Sequence, residues 1–246
     1  MRVFCASAIL TFGCLSLASE PPSVTVDMAT KSRYIWKGLS ASETAVFQPS
    51  VFVDYRGFTF GVWANSEIGK TSGVSQASTG SGEFNEVDVS LAYTMEFGKA
   101  SSTITIARYE FPNTGFPGYT EALASVTLDA PFQPTLEASY DFASNGAYLK
   151  GSLSHRLHAF EFSDFEASVE LGSWIAWGSK KHNEYWYGTN RSGLADWGVE
   201  LVSPISMGEW TLTPSVAYTN RFSSAVGAET GKRSHFVFGA TLSLQF

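Results

Sequence analysis

Apolar and polar residues alternate one by one along much of this chain, and this period of two restricts the fold more than any other feature of the sequence. Segments 87–95 and 165–175 both show it. The clearest case is the C-terminal segment, whose apolar positions are Phe236, Phe238, Ala240, Leu242, Leu244 and Phe246. Because successive side chains of a strand point to opposite faces, each such segment predicts a β-strand with one apolar face.

The alternating segments predict about twelve strands. They are 24–36, 45–55, 58–66, 85–97, 101–111, 119–129, 134–142, 147–157, 165–177, 195–203, 210–221 and 235–246. Short turns, such as 56–57 and 98–100, follow every second strand, whereas the other connections tend to be longer and rich in Gly, Ser and Asn. Strands of about ten residues in even number, with short turns at one end, are typical of transmembrane β-barrels.

The predicted fold class is therefore all-β: a closed, antiparallel, up-and-down transmembrane β-barrel of about twelve strands. Closure follows from the solvent, since every unpaired backbone group in hydrocarbon costs several kcal/mol. The alternative is a soluble sheet. In segment 101–111 the register stays open, because facing Arg108 and Glu110 inward also turns Ile104 and Ile106 inward.

Aromatic residues near the strand ends, on the register that faces lipid, predict girdles at the two membrane interfaces. They are Tyr34, Trp36, Tyr55, Phe97, Tyr109, Phe142, Trp197, Trp210 and Tyr218. In a soluble sheet the same residues would be core aromatics, which is the competing interpretation.

The first 18 residues differ in composition from the rest and predict a cleaved signal peptide, with the barrel domain at 19–246. Arg2 is their only charge, within a run that is rich in apolar residues. Both cysteines, Cys5 and Cys14, lie in this segment, so we expect no disulfide framework in the domain. An uncleaved membrane anchor and a lipid-modified Cys14 are the alternatives.

The charge balance excludes one class of function and the motifs another. The chain has 16 Lys and Arg against 23 Asp and Glu, a net charge of −7, whereas nucleic-acid binding needs a basic patch. The sequence contains no nucleophile elbow, His-Glu-x-x-His pair or Cys-based site. We therefore expect no nucleic-acid partner, no enzyme activity, no cofactor and no metal site.

Charged residues on the register away from lipid are expected to line the lumen, because Lys or Arg at mid-bilayer costs about 2 to 4 kcal/mol. The predicted pore-lining residues are the acids Asp27, Asp54, Glu86, Asp88, Glu121, Glu137, Asp141, Glu166, Glu170, Asp196 and Glu200, and the bases Lys31, Arg33, Lys150, Arg156 and Arg221. An acid-rich lumen predicts passive diffusion of small polar or cationic solutes. The alternative is a non-conducting structural or surface-interaction barrel whose interior charges pair; an outer-membrane enzyme is less favoured.

The connection 178–194 contains the most distinctive loop segment, Lys180–Tyr187, which combines charged residues with three adjacent aromatics. Three hypotheses concern the role of this segment. It folds inward as a constriction, it contacts lipopolysaccharide or a ligand, or it is an ordinary surface loop.

The stretch Ser32-Arg33-Tyr34-Ile35-Trp36-Lys37-Gly38-Leu39-Ser40, followed by Gln48-Pro49 and by Gly57-Phe58 to Trp63, resembles the opening of the TorF-type porin family of bacterial outer-membrane proteins. The resemblance covers the first third of the mature chain. It implies a barrel in the outer membrane of a Gram-negative bacterium, in contact with lipid and lipopolysaccharide, and it brings no catalytic residues. Phe246, at the end of an alternating strand, resembles the signal read by the barrel assembly machinery. That machinery is an expected partner, and a homo-oligomer stays open.

Overall fold

The computed structural model describes residues 21–69, 82–222 and 232–246, so the predicted signal peptide lies outside the described residues. One helix and fifteen strands occur in these ranges. The strands are β1 (Ser23–Lys31), β2 (Tyr34–Trp36), β3 (Leu39–Ser42), β4 (Val46–Tyr55), β5 (Phe58–Glu67), β6 (Phe84–Phe97), β7 (Ala100–Glu110), β8 (Tyr119–Leu128), β9 (Thr135–Asp141), β10 (Gly146–Glu161), β11 (Glu166–Gly178), β12 (Gly193–Val202), β13 (Ile205–Met207), β14 (Trp210–Arg221) and β15 (Ser234–Gln245).

Twelve of these strands form a closed ring of antiparallel neighbours, which confirms the predicted fold class. The ring follows chain order, except that β2 and β3 form a separate hairpin and the short β13 bridges β11 and β14. Strand β1 pairs with β4 on one side and with β15 on the other. At this seam the backbones of Val24 and Phe246 exchange two hydrogen bonds, of 3.2 and 2.9 Å. The ring therefore has no free edge between its first and last strands.

The outer face of the ring is apolar all the way round. Its exposed side chains include Met28, Val51, Phe60, Leu91, Ile104, Leu136, Leu153, Val199, Leu212 and Phe238. Leu136 of β9, for example, is 62% exposed in the isolated chain. The free energy of transferring apolar surface out of water is favourable by about 25 cal/mol per Å², so a continuous apolar band is stable in contact with lipid.

Strand β7 resolves the register that the sequence left open. Ile104 and Ile106 are exposed on the outer face, together with Arg108 and Glu110, whose Nε and Oε1 atoms lie 2.6 Å apart. Tyr109 points the other way and is buried inside the ring. Its predicted place in an aromatic girdle is therefore wrong, because its hydroxyl donates to a carboxylate in the lumen.

The predicted strand 24–36 ends early. Strand β1 stops at Lys31, and the chain then turns into the ring as the hairpin β2–β3. Tyr34 and Trp36 are each only 6% exposed there, so their predicted place in the girdle is also wrong. The alternation continues through both residues, but their side chains pack inside the lumen instead of facing lipid.

The tip of this hairpin is a two-residue turn at Lys37 and Gly38. Their φ angles are 45° and 74°, as a type I′ hairpin turn requires of both central residues. Glycine is needed at the second position for space as well, because a Cβ there would lie 2.6 Å from Cγ of Arg221 and 2.8 Å from Cβ of Asp196. The turn therefore fits closely against the inner wall.

The connection 178–194 contains a helix, α1 (Lys180–Tyr187). The hydroxyl of Ser179 accepts a hydrogen bond from the backbone N–H of His182 at the first turn, and Gly188, with φ 66°, ends the helix. Three of its side chains, His182, Asn183 and Tyr187, are buried. In the described ranges no helix has the length and apolarity needed to cross a membrane.

Candidate functional site

The candidate functional site is the part of the lumen that holds the hairpin β2–β3 and helix α1. Both elements leave the wall at the end that carries the longer connections, here called the loop end; the opposite end is the turn end. The hairpin starts beside β1 and β4, and its tip reaches β8, β9 and β10, which lie across the ring. The hairpin thus spans the lumen from one wall to the other.

The Lys37 side chain makes the central contact. Its Nζ donates to Oε1 of Glu121 in β8 and lies 3.4 Å from Oγ of Ser139 in β9. The same ammonium lies 4.7 Å from the ring centre of Trp36 and 4.9 Å from that of Tyr148 in β10. Ring faces carry partial negative charge, so both aromatic contacts favour the cation.

The Glu121 carboxylate has partners besides the lysine. Its Oε2 accepts from the Tyr109 hydroxyl at 3.1 Å, and its Oε1 accepts from Oγ of Ser139 at 2.8 Å. The Lys37 and Glu121 side chains are both almost fully excluded from solvent. A buried ion pair is stable only when its remaining polar positions are bonded, and here hydroxyl groups from β7 and β9 supply those bonds.

Helix α1 holds the hairpin from the loop end. The Tyr187 hydroxyl donates to the backbone carbonyl of Lys37 at 2.8 Å. The Trp186 ring lies 4.6 Å from that of Trp36, centre to centre, and its Nε1 donates to Oδ2 of Asp141 at 2.7 Å. Helix, hairpin and wall are therefore bonded to one another in a single packed unit.

The helix approaches the wall at two glycines. A Cβ on Gly146 of β10 would lie 2.4 Å from the backbone nitrogen of His182, and one on Gly178 of β11 would lie 1.9 Å from Oδ1 of Asn183. Such distances are far below van der Waals contact. The absence of side chains at these two positions is what lets α1 lie against β10 and β11.

His182 lies at this contact, 0% exposed, with its ring 5.2 Å from the ring of Tyr148 and 5.6 Å from that of Tyr187. Within the described residues neither ring nitrogen has a hydrogen-bond partner. Burial, with a further contribution from the positive charge of Lys37, lowers the pKa of His182 from 6.5 to about 3. The histidine is therefore neutral at physiological pH.

A second group of polar contacts lies against Tyr148. Asp196 of β12 accepts from the Tyr148 hydroxyl at 2.6 Å and from Nε1 of Trp174 at 3.0 Å. These bonds fix the Tyr148 ring independently of the ammonium that lies over it.

Nearer the turn end, hydroxyl groups bond to a hydroxyl or a carboxylate on the neighbouring strand along the inner face. The pairs are Thr94 with Thr103 (2.9 Å), Thr127 with Thr135 (2.9 Å), Ser206 with Thr211 (3.1 Å) and Thr59 with Asp54. Small hydroxyl side chains leave more room than the aromatic residues at the loop end do. The two halves of the lumen thus differ in chemistry.

All predicted pore-lining residues except Arg33 lie on ring strands with their side chains on the inner register. Asp27, Lys31, Asp54, Glu86, Asp88, Glu121, Glu137, Asp141, Lys150, Arg156, Glu166, Glu170, Asp196, Glu200 and Arg221 make up this set. Arg33 lies between β1 and β2, where its Nη1 is 3.1 Å from Nδ1 of His235. That these residues line a conducting pore stays a prediction.

Several members of the set bond the hairpin, the helix or a neighbouring strand. Glu86 accepts from the Tyr34 hydroxyl at 3.4 Å, and Arg156 lies 3.1 Å from Glu170. Asp141 accepts from the backbone of the 142–145 turn as well as from Trp186. These contacts hold the hairpin, a strand pair and the helix, respectively.

Lys37 and Tyr148 were missed as site residues by the sequence analysis. The only local signal at Lys37 is the glycine that follows it, since Gly is favoured at the second central position of a two-residue hairpin turn, whereas Lys is not typical of the first. Nothing local marks Tyr148, which follows the ordinary alternation of β10. In the described part of the chain no three His, Cys, Asp or Glu side chains are placed to hold a metal ion.

No known family model matches the chain, and no curated protein matches it in sequence. Among solved structures, the NanC porin matches with a TM-score of 0.50 and 13% identity, over 89% of this chain and 98% of that chain. A bacterial polysaccharide outer-membrane secretin matches with a TM-score of 0.45 and 8% identity, over 93% and 98% of the two chains. An outer-membrane channel from Pseudomonas putida F1 matches with a TM-score of 0.43 and 11% identity, over 95% of this chain and 100% of that chain. At 13% identity the likeness to the NanC porin establishes the fold alone, which is that of an outer-membrane β-barrel.

Proposed function

We propose that the chain is a porin-like channel of the Gram-negative outer membrane, through which small polar or cationic solutes diffuse passively. The observation that carries the proposal is the polar inner face of a closed ring whose outer face is apolar. Hydroxyl groups and carboxylates line it toward the turn end. An acid-rich lumen concentrates cations by its field. Membership of the TorF-type porin family stays a prediction that fits this function.

The outer-membrane location and the partners belong to the same proposal. The apolar band suits contact with lipid and with lipopolysaccharide acyl chains. Phe246, whose side chain is exposed beside the seam, would present the C-terminal strand to the barrel assembly machinery. A homo-oligomer and the signal peptide at 1–18 remain predictions from the sequence.

One observation favours a second function, a non-conducting structural or surface-interaction barrel. The hairpin crosses the lumen and is bonded to the far wall through Lys37, and α1 packs on it from the loop end through Trp186 and Tyr187. In the channel proposal these elements form a constriction that solutes pass; in the second proposal they form a seal.

Conductance of the refolded protein in planar bilayers separates the two functions. A channel gives reproducible current steps that carry cations in preference to anions under a salt gradient, whereas a sealed barrel gives no steps in any refolding condition. Absence of steps would overturn the channel proposal and leave the structural one.

A matched pair of variants then tests the lumen assignment. Glu137→Gln removes one negative charge from the inner face, where Oε1 has no hydrogen-bond partner among the described residues. Glu110→Gln removes one from the outer face. We expect the first variant to lower cation preference and the second to leave it unchanged. Equal selectivity in both variants would refute the assignment of Glu137 to the ion path.

A further inference from the structure

We infer that the pocket around the Lys37 ammonium, formed by the wall and by Trp36 of the hairpin, is a binding site for primary alkylammonium ions, which in this structure is occupied by the chain's own lysine. The site is the carboxylate of Glu121, the hydroxyl of Ser139 and the ring faces of Tyr148 and Trp36. Binding of these ions does not depend on the proposed function. Only their transport through the lumen rests on it.

The chemistry of the site fits a primary ammonium group. An –NH₃⁺ group has three donors and no acceptor, and it binds well to a carboxylate, a hydroxyl oxygen and aromatic faces. Glu121 and Ser139 supply the oxygen atoms, and Trp36 and Tyr148 supply rings at 4.7 and 4.9 Å from Nζ. A neutral solute of the same shape would leave the buried carboxylate without a counter-charge.

The wall residues are held in place by bonds that do not involve the lysine. The Tyr109 hydroxyl and the Ser139 hydroxyl both donate to Glu121, at 3.1 and 2.8 Å. The Tyr148 hydroxyl donates to Asp196 at 2.6 Å. The acceptors and the ring therefore keep their positions when the ammonium leaves, and a preorganised site loses little affinity to rearrangement.

The hairpin is also held without the Lys37 ammonium. The Tyr187 hydroxyl bonds the backbone carbonyl of residue 37, not its side chain, and the Trp36 ring packs on Trp186. Exchange of the tethered ammonium for a free one thus requires movement of one flexible side chain while the backbone stays docked. In this sense Lys37 acts as an internal competitor for the site.

The test is chemical rescue of Lys37→Ala. The variant keeps Cβ and lacks the three further carbons and the nitrogen of lysine, which is the skeleton of n-propylammonium. Isothermal titration calorimetry of the refolded variant with n-propylammonium chloride is expected to show saturable binding, and the wild-type protein none over the same concentrations. n-Propanol, which has the same carbon skeleton without the charge, is expected to give no binding.

The matched control is Lys37→Ala with Glu121→Gln. This change keeps the shape of the side chain and removes the negative charge, so binding is expected to weaken by about ten- to hundredfold, the range for a hydrogen bond between charged groups. The inference is overturned if Lys37→Ala does not bind n-propylammonium, if n-propanol binds equally well, or if the double variant binds with unchanged affinity. Should Lys37→Ala fail to refold, Lys37→Ser is measured with the same ligands, and the same outcomes decide.

Conductance measured on the same variant separates this inference from the proposed function. Current steps in Lys37→Ala that n-propylammonium reduces, and that n-propanol leaves unchanged, support both. Calorimetric binding without any current contradicts only the channel. Current without calorimetric binding contradicts only the ammonium site.

Discussion

Acidification is expected to loosen helix α1 through His182. The pKa of this residue is about 3 with the helix docked and 6.5 for an exposed imidazole, so between these values the undocked helix binds a proton that the docked one does not. Docking is fully stable above pH 6.5 and weakens as the pH falls toward 3. At pH 5 the difference is about 2 kcal/mol, or about a thirtyfold change in the docked-to-undocked ratio. The groups that face the imidazole are Lys37, Tyr148 and Tyr187, and none of them supplies a negative charge at these pH values.

The measurement is amide hydrogen exchange of residues 180–187 in detergent micelles at pH 7 and pH 5, corrected for the intrinsic effect of pH on exchange. We expect the helix to lose protection at pH 5 while the amides of β6 and β7 do not change. His182→Gln, which cannot take up a proton, is expected to show equal protection at both pH values. The reasoning is refuted if this variant keeps the pH dependence of the wild-type protein, or if the wild-type helix is equally protected at both.

Three further predictions concern the helix and the outer face. Gly146→Ala places a Cβ 2.4 Å from the helix backbone and is expected to undock α1, seen as faster exchange of residues 180–187; Gly151→Ala, where the space is open, is expected to have no effect. Tyr187→Phe removes the hydrogen bond to the Lys37 carbonyl and is expected to lower the free energy of helix docking by about 1 to 2 kcal/mol in the same exchange measurement. Protection equal to that of the wild-type helix would contradict this prediction. Leu136→Arg puts a charge on the lipid face and is expected to lower the free energy of unfolding by about 2 to 4 kcal/mol in urea titrations of the protein in vesicles; unchanged stability would place β9 outside the membrane.

The strands of the ring are predictable from the sequence because the alternation of apolar and polar residues that forms them is a local pattern. In β15 each outward residue from Phe236 to Leu244 is apolar, and the pattern is visible from residues that are two positions apart in the sequence. The same holds for most of the other ring strands. The sequence leaves the register of Ile104 and Ile106 open, since two charged residues, Arg108 and Glu110, share it. The structure resolves the conflict by pairing these charges with each other on the outer face.

The hairpin and the site were not predictable in this way. Tyr34 and Trp36 continue the alternation of β1, so a pattern of period two cannot distinguish a strand that stays in the wall from one that turns inward. Lys37 and Glu121 are 84 residues apart in sequence and meet only because β8 lies across the ring from β1. The docking of Lys180–Tyr187 against the wall depends on Gly146 and Gly178 of the neighbouring strands, which the segment itself does not contain.

The hairpin β2–β3 has a mechanical consequence. It leaves the wall beside β1 and β4, and Lys37 bonds it to β8 and β9 on the opposite side and contacts Tyr148 of β10, so it acts as a strut across the ring. A single-layer cylinder ovalises easily when the surrounding membrane presses on it unevenly. We expect a strut that is bonded at both ends to oppose a change in that diameter, so that the cross-section of the lumen depends on the hairpin as well as on the lateral pressure of the lipid.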